Sequence, residues 1–130
     1  MKEFKVYAEN RVGELARLTR ALAERAVNIR AIASEGGSNQ VFLRIVTSDV
    51  TTTEKALKAE GYRYDLSDIL ICEMLDRPGE LAKLAGRFAK AEINVQSIYL
   101  LGQKEGKSQL ALVVSDMEKA KTLVNHVVSG

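Results

Sequence analysis

Two short segments carry the most specific chemistry in the sequence: Asn10-Arg11-Val12-Gly13-Glu14-Leu15 and Asp76-Arg77-Pro78-Gly79-Glu80-Leu81. Each places a small polar residue, an arginine and a glycine just ahead of an apolar helical repeat. Pro78 fixes φ at a helix start, the glycine lets the backbone turn closely, and the unpaired N–H groups of a first helical turn attract a carboxylate. The same residues also suit a plain capped turn, with Asn10 or Asp76 as N-cap and Glu14 or Glu80 facing the helix dipole. Spacing alone fits that turn better than a ligand site. Asn28 and Asn94 sit between apolar neighbours, Val27/Ile29 and Ile93/Val95. Their amides offer donors and an acceptor to an amino acid's polar groups, or else a left-handed cap where a helix ends.

Catalytic constellations are missing. Cys72 alternates with Leu70 and Met74 on an expected strand, which reads as a small core residue rather than a nucleophile. His126 stands in the last expected helical turn with no Ser, Cys or carboxylate fixed beside it by a motif. One Cys and one His cannot build a structural zinc site, and the single Cys excludes an intramolecular disulfide, so a reducing compartment is the natural setting. Neither G-x-G-x-x-G nor G-x-x-x-x-G-K-[ST] occurs. No catalytic residue, metal or cofactor is expected.

The two loops are copies of one unit. Asn10 to Ile32 aligns without gaps on Asp76 to Ile98, with nine identities in 23 positions at an offset of 66, and Leu43 to Asp49 then matches Leu110 to Asp116 at an offset of 67. Within each copy the apolar period changes in the same order. Phe4, Val6 and Ala8, like Leu70, Cys72 and Met74, alternate as a first strand. Leu15, Leu18 and Leu22, and Leu81, Leu84, Ala85 and Phe88, mark one face of a first helix. Val27 to Ser34 and Ile93 to Leu101 read as second strands. They lead through the glycine-containing turns 35–39 and 102–106, where glycine permits positive φ, to third strands at Val41 to Thr47 and Gln109 to Val114. Thr51-x-x-Glu54 and Ser115-x-x-Glu118 have capping-box spacing and predict second helices, the first closed by Gly61 and the second reaching about Val128. Tyr62 to Leu66 can add a fourth strand, for which the second copy has no room.

The predicted fold class is therefore α+β: two tandem ferredoxin-like units with antiparallel sheets and helices on one face, residues 1–67 as β-α-β-β-α-β and residues 68–130 as the same unit lacking its last strand. Apolar residues at both strand parities, Phe42 and Val46 beside Leu43 and Ile45, fit sheets covered on two faces. In a sheet ordered 4-1-3-2 the shortened unit leaves Ile69 to Met74 as a bare edge, so a homodimer covering that edge is expected.

Composition narrows the partners. The 130 residues are 46% hydrophobic and 28% charged, within the globular range, and a formal net charge of +2 gives no strong field for nucleic acid or an anionic membrane. Arg17, Arg20, Arg25, Lys83, Arg87 and Lys90 interleave with Glu14, Glu24, Glu80 and Glu92 as a solvated helix face. At 5% aromatic, the chain lacks the stacking platform of an RNA-binding sheet. No apolar run approaches the roughly 18 residues that span a bilayer, and the charged start Met1-Lys2-Glu3-Phe4-Lys5 is unlike a signal peptide. A cytoplasmic location is expected.

The β-α-β-β-α-β order, the N/D-R-V/P-G-E-L loop after the first strand, and Val-Asn-Ile or Ile-Asn-Val after the first helix together resemble the ACT domain family, as two tandem units over nearly the whole chain. The stretch Asp76 to Ile98 is the specific match; Val12 departs from the proline usual in the first loop. The resemblance implies a non-catalytic regulatory module that binds an amino acid or related metabolite between units. The ligand then meets the loop of one unit (Asn10, Arg11, Val12, Gly13, Glu14, Leu15, or Asp76, Arg77, Pro78, Gly79, Glu80, Leu81) and the segment after the first helix of a neighbour (Asn28, Ile29, Asn94, Val95). The intact Asp-Arg-Pro-Gly loop of the second copy is the favoured binder, because a proline turn is better pre-organised. The alternative implied is a regulatory subunit that docks on a separate amino-acid biosynthetic enzyme. A small enzyme on the same fold is a third class, against which stands the lack of a paired acid and base.

Overall fold

The computed structural model describes residues 1–124, and His126 with the end of the last expected helix lies outside them. The chain divides between Ser67 and Asp68 into two compact units.

The first unit runs β1 (Lys2–Glu9), α1 (Glu14–Ala23), β2 (Ile29–Gly36), β3 (Gln40–Thr47), α2 (Val50–Ala59) and β4 (Arg63–Asp68). Its sheet has the order β2-β3-β1-β4, with β3 antiparallel to both β1 and β2. Alternation puts Phe4, Val6 and Ala8 of β1 beside Ile45, Leu43 and Val41 of β3 on one face. Against that face α1 lays Leu18 and Leu22 and α2 lays Ala56 and Leu57, closing the core. Burying each such large side chain stabilises the unit by about 1.5–3 kcal/mol before entropy is counted. On the opposite face Val46 is also fully buried, while Phe42 is half-buried and packs edge-on against Tyr7.

The second unit repeats the order as β5 (Leu70–Leu75), α3 (Glu80–Lys90), β6 (Val95–Lys104), β7 (Lys107–Val114) and α4 (Met117–Lys121). Its three described strands lie in the order β5-β7-β6, so β5 has a strand neighbour on one side only among the described residues. Leu70, Cys72, Leu110 and Leu112 meet Leu84 and Phe88 of α3 and Ala120 of α4 in its core. Ile71 and Ala111, paired across β5 and β7 on the other face, are buried as well.

Four local expectations need correction. The helix caps are Asp49, whose Oδ1 accepts from Thr52 N–H at 3.1 Å, and Asp116, which accepts from Lys119 N–H at 3.0 Å, not Thr51 and Ser115. A short carboxylate one or two residues away outcompetes each hydroxyl. The left-handed residues after α1 and α3 are Ala26 (φ 56°) and Glu92 (φ 58°), not Asn28 and Asn94. They stand at C′ of Schellman motifs, in which Val27 N–H donates to Leu22 C=O (3.0 Å) and Ile93 N–H to Phe88 C=O (2.9 Å). Val27 and Ile93 are the apolar residues that such motifs turn into the core, and for that reason β2 and β6 start two residues later than the pattern predicts. Neither Gly36 nor Gly37 has positive φ; only the second hairpin does, at Glu105 and Gly106, as a two-residue type I′ turn. Finally, Asn10 and Asp76 are not N-caps, since Gly13 and Gly79 occupy that position.

Candidate ligand site

Gly13 (φ 90°) and Gly79 (φ 86°) both adopt the left-handed conformation immediately before α1 and α3. Helix geometry leaves the next amides without intrahelical acceptors, at Leu15 and Ala16 and again at Leu81 and Ala82. Each loop is also tied to its hairpin: Asn10 N–H donates to Asn39 C=O at 3.1 Å and Asp76 N–H to Gly106 C=O at 2.8 Å. Asn10 adds a side-chain bond, Nδ2 to Gly37 C=O at 2.8 Å, which accounts for a polar residue that does not cap.

The arginines of the loops do not stand alone. Arg11 is paired with Glu9 (3.1 Å) and Glu14 (2.9 Å), and Arg77 with Glu80 (2.7 Å). Glu14 is buried and also receives Arg17 Nη1 at 3.0 Å and the Tyr62 hydroxyl at 2.7 Å. The bond from Tyr62, with Arg11 and Arg17 beside it, holds the Glu14 carboxyl below the usual carboxylate range. Burial, with that hydrogen bond second, pushes the Tyr62 hydroxyl up to about 12. Arg17 lies over the Tyr62 ring (4.5 Å), donates to Glu60 C=O and reaches the Glu60 carboxylate at 3.4 Å. It is thus a brace between α1 and the end of α2, not a member of a solvated face. The second loop has a plainer arrangement: Glu80 meets Arg77 and, at 3.5 Å, Lys83.

Beside the first loop is a cavity of about 170 Å³. Ala8, Leu15, Val41 and Leu43 form its apolar walls, and Glu9, Asn10, Arg11, Glu14 and Ser34 its polar edge. In the second unit a hollow of about 90 Å³ is lined by Met74, Leu75, Glu80, Leu84, Arg87 and others, and includes neither Leu81 nor any residue of β6. A further hollow, about 430 Å³ at the β6–β7 hairpin, is walled by Glu73, Gln103, Lys104, Glu105, Lys107 and Gln109 among others. Long polar chains without an apolar floor make a poor seat for a small ligand.

The other expected site residues lie elsewhere in their units. Asn28 and Ile29 stand at the Thr47 end of β3, whereas the loop from Asn10 stands at the Gln40 end. Eight residues of β3 separate the two ends, about 23 Å. Asn94 and Val95 likewise stand at the Val114 end of β7 and Asp76 near the Lys107 end. Asn94 is held through its backbone, its N–H donating to Ser115 Oγ and its C=O accepting from Ser115 N–H, both at 2.9 Å. A loop and an Asn of the same unit therefore cannot hold one small ligand together.

Val12 at the tip of the first loop is fully exposed. Leu15, Ile32 and their copies Leu81 and Ile98 are each about half exposed, on helices and edge strands alike in both units. Sequence reasoning missed Tyr62 and Arg17 as supports of the loop, and Ala8, Ser34, Val41 and Leu43 as cavity walls. The aligned copies did contain a signal: Ala8 and Ser34 are replaced by Met74 and Leu100. Among the described residues no group of three or more His, Cys, Asp or Glu side chains gathers to hold a metal, and no helix is long and apolar enough to cross a membrane.

The ACT domain pair family model matches residues 1–127, and the chain belongs to that family. Comparison with curated proteins gives no match. Among solved structures, protein BT0572 from Bacteroides thetaiotaomicron superposes with a TM-score of 0.84 at 24% identity, over 94% of this chain and 84% of that one. The ligand-free regulatory subunit of aspartate kinase from Thermus thermophilus gives 0.69 at 22% identity, over 95% and 86% of the two chains. Its counterpart from Thermus flavus gives 0.69 at 20%, over 94% and 86%. At these identities the likeness is one of fold: two tandem ferredoxin-like ACT units.

Proposed function

We propose that this protein is a non-catalytic regulatory module that binds a free amino acid or a close relative, between a loop of one unit and the segment after the first helix of a unit in a second copy. The observation that carries the reading is the duplicated left-handed glycine, Gly13 and Gly79, opening a helix in each unit, with a cavity of apolar walls beside the first of the two loops. The ligand carboxylate is the natural partner of the exposed first-turn amides, and Asn28 or Asn94 of the second copy the partner of its amine.

The separation of loop and Asn within a unit means that the Asn comes from another unit, and in this reading that unit belongs to a second copy, so the protein is a homodimer. Among the described residues the outer edges of β2 and β6 have no strand neighbour, and each lies beside a half-exposed Leu and Ile. Antiparallel pairing of β2 in one copy with β6 in another sets Asn94 and Val95 next to the Gly36 end of β2, where the first loop is anchored. It also covers Leu15, Ile32, Leu81 and Ile98. A stable interface of this kind buries on the order of 1,600 Å².

A second reading, a regulatory subunit docking on a separate biosynthetic enzyme, draws on the fold shared with the aspartate kinase regulatory subunits. A thermal-shift screen of the twenty amino acids tests the first reading, since a ligand at 100 times its Kd adds about 2.7 kcal/mol. A shift with one or a few amino acids supports it. No shift with any of them, together with a stable enzyme complex in a pull-down from native lysate, replaces it with the second.

A further inference from the structure

Resting on that reading, we infer that only the first unit lodges the ligand side chain, and that the ligand is an amino acid with an uncharged, apolar side chain. The aligned copies differ where the cavity lies. On β1, Ala8 stands opposite Val41; at the matching place on β5, Met74 stands opposite Ser108. On β2, Ser34 stands opposite Leu43; on β6, Leu100 stands opposite Leu110. Two small residues open the space beside Leu15, and two large apolar ones occupy the same places beside Leu81. Met74 packs against the core of its own unit, so its volume is committed there.

The walls set the chemistry. Ala8, Leu15, Val41 and Leu43 offer hydrocarbon, which a charged side chain would desolvate against without a partner. Of the two carboxylates at the edge, Glu14 is already bonded to Arg11, Arg17 and Tyr62, and Glu9 is paired with Arg11, so neither serves as that partner without losing those contacts. At about 170 Å³ the cavity is below the roughly 300–1,000 Å³ of drug-sized pockets and close to the roughly 150 Å³ of a void that takes benzene, so an aliphatic chain or an aromatic ring fits it. Selection therefore falls to the first loop, although the second has the proline turn.

Calorimetric titration of the full chain with L-valine, L-leucine, L-lysine, L-aspartate and L-tryptophan tests the inference. Binding of an apolar probe, valine, leucine or tryptophan, at one per chain, weakened roughly tenfold or more by Ser34→Leu, supports it. Ser34 is on an exposed edge strand, so that variant folds even if Ala8→Met does not. Two ligands per chain, binding of lysine or aspartate in preference to the apolar probes, or unchanged affinity in Ser34→Leu overturns the inference and leaves the amino-acid reading standing. No binding of these five, together with no shift for any of the twenty amino acids in the thermal-shift screen, overturns both.

Discussion

The hydroxyl of Tyr62 donates a 2.7 Å hydrogen bond to Oε1 of Glu14, joining the start of α1 to the turn that follows α2 across 48 positions of sequence. The carboxylate is buried, so the contact is a charge-assisted bond out of water. Tyr62→Phe removes one donor from a buried anion and is expected to destabilise the chain by about 1.5–3 kcal/mol, read as a lower urea midpoint. An unchanged midpoint would show that Arg11 and Arg17 satisfy Glu14 without the tyrosine.

The same pair sets two pH limits. Glu14 has its folded pKa lowered from 4.5, first by Tyr62, so its contribution is full above that value and is lost as pH falls through the lowered one. Tyr62 has its folded value raised from 10.0 to about 12, so its contribution is full below pH 10 and is lost as pH climbs towards 12. Urea midpoints should therefore fall off at both ends, and Tyr62→Phe should remove the alkaline part that belongs to this hydroxyl.

Glycine substitutions should act with opposite signs at two kinds of site. A Cβ at Gly13 or Gly79 meets no atom within 4 Å, so Gly→Ala there costs backbone strain alone, about 1–2 kcal/mol. Ala26 and Glu92 already bear that strain, and Ala26→Gly or Glu92→Gly should stabilise by about 0.5–1 kcal/mol. Thermal melts of the four variants check both directions, and a loss of stability in both Ala26→Gly and Glu92→Gly would contradict the Schellman geometry.

Cys72 is buried on β5, and burial pushes its thiol up to about 11. At pH 8 it should react with a disulfide reagent far more slowly in the native chain than in 6 M guanidinium, at a rate set by opening of the second unit. Fast labelling of the native protein would mean that β5 opens easily at its free edge.

The caps offer a test of how the helices begin. Asp49→Ala and Asp116→Ala should lower the melting temperature, whereas Thr51→Ala should leave it nearly unchanged, because the first-turn amides bond to the aspartates.

Much of this architecture was legible because it rests on periodicity, which survives duplication. Phe4-x-Val6-x-Ala8 and Leu18-x-x-x-Leu22 face the same core, and the sheet order read from the first unit is the observed one. The errors fall where two residue types compete for one geometric task. Asp49 and Thr51 both suit an N-cap, and propensity favours Asn28 for a left-handed position that the buried Val27 instead assigns to Ala26. The candidate loops were legible as motifs, since Gly13 and Gly79 announce a backbone need. The cavity was not, because Ala8 and Ser34 matter through what they leave empty, and a single sequence shows absent volume only when a second copy fills it.

Under the proposed pairing of β2 with β6, the edge flanked by an exposed leucine and isoleucine occurs twice in each chain, which gives a valence of two. Growth through such edges stops when the chains close into a ring, the smallest being a two-fold pair satisfied at both places; otherwise each added chain offers a fresh end and a fibre results. A chain with Ile98→Lys keeps a single sticky edge, and small amounts of it would act on any such fibre as a terminator.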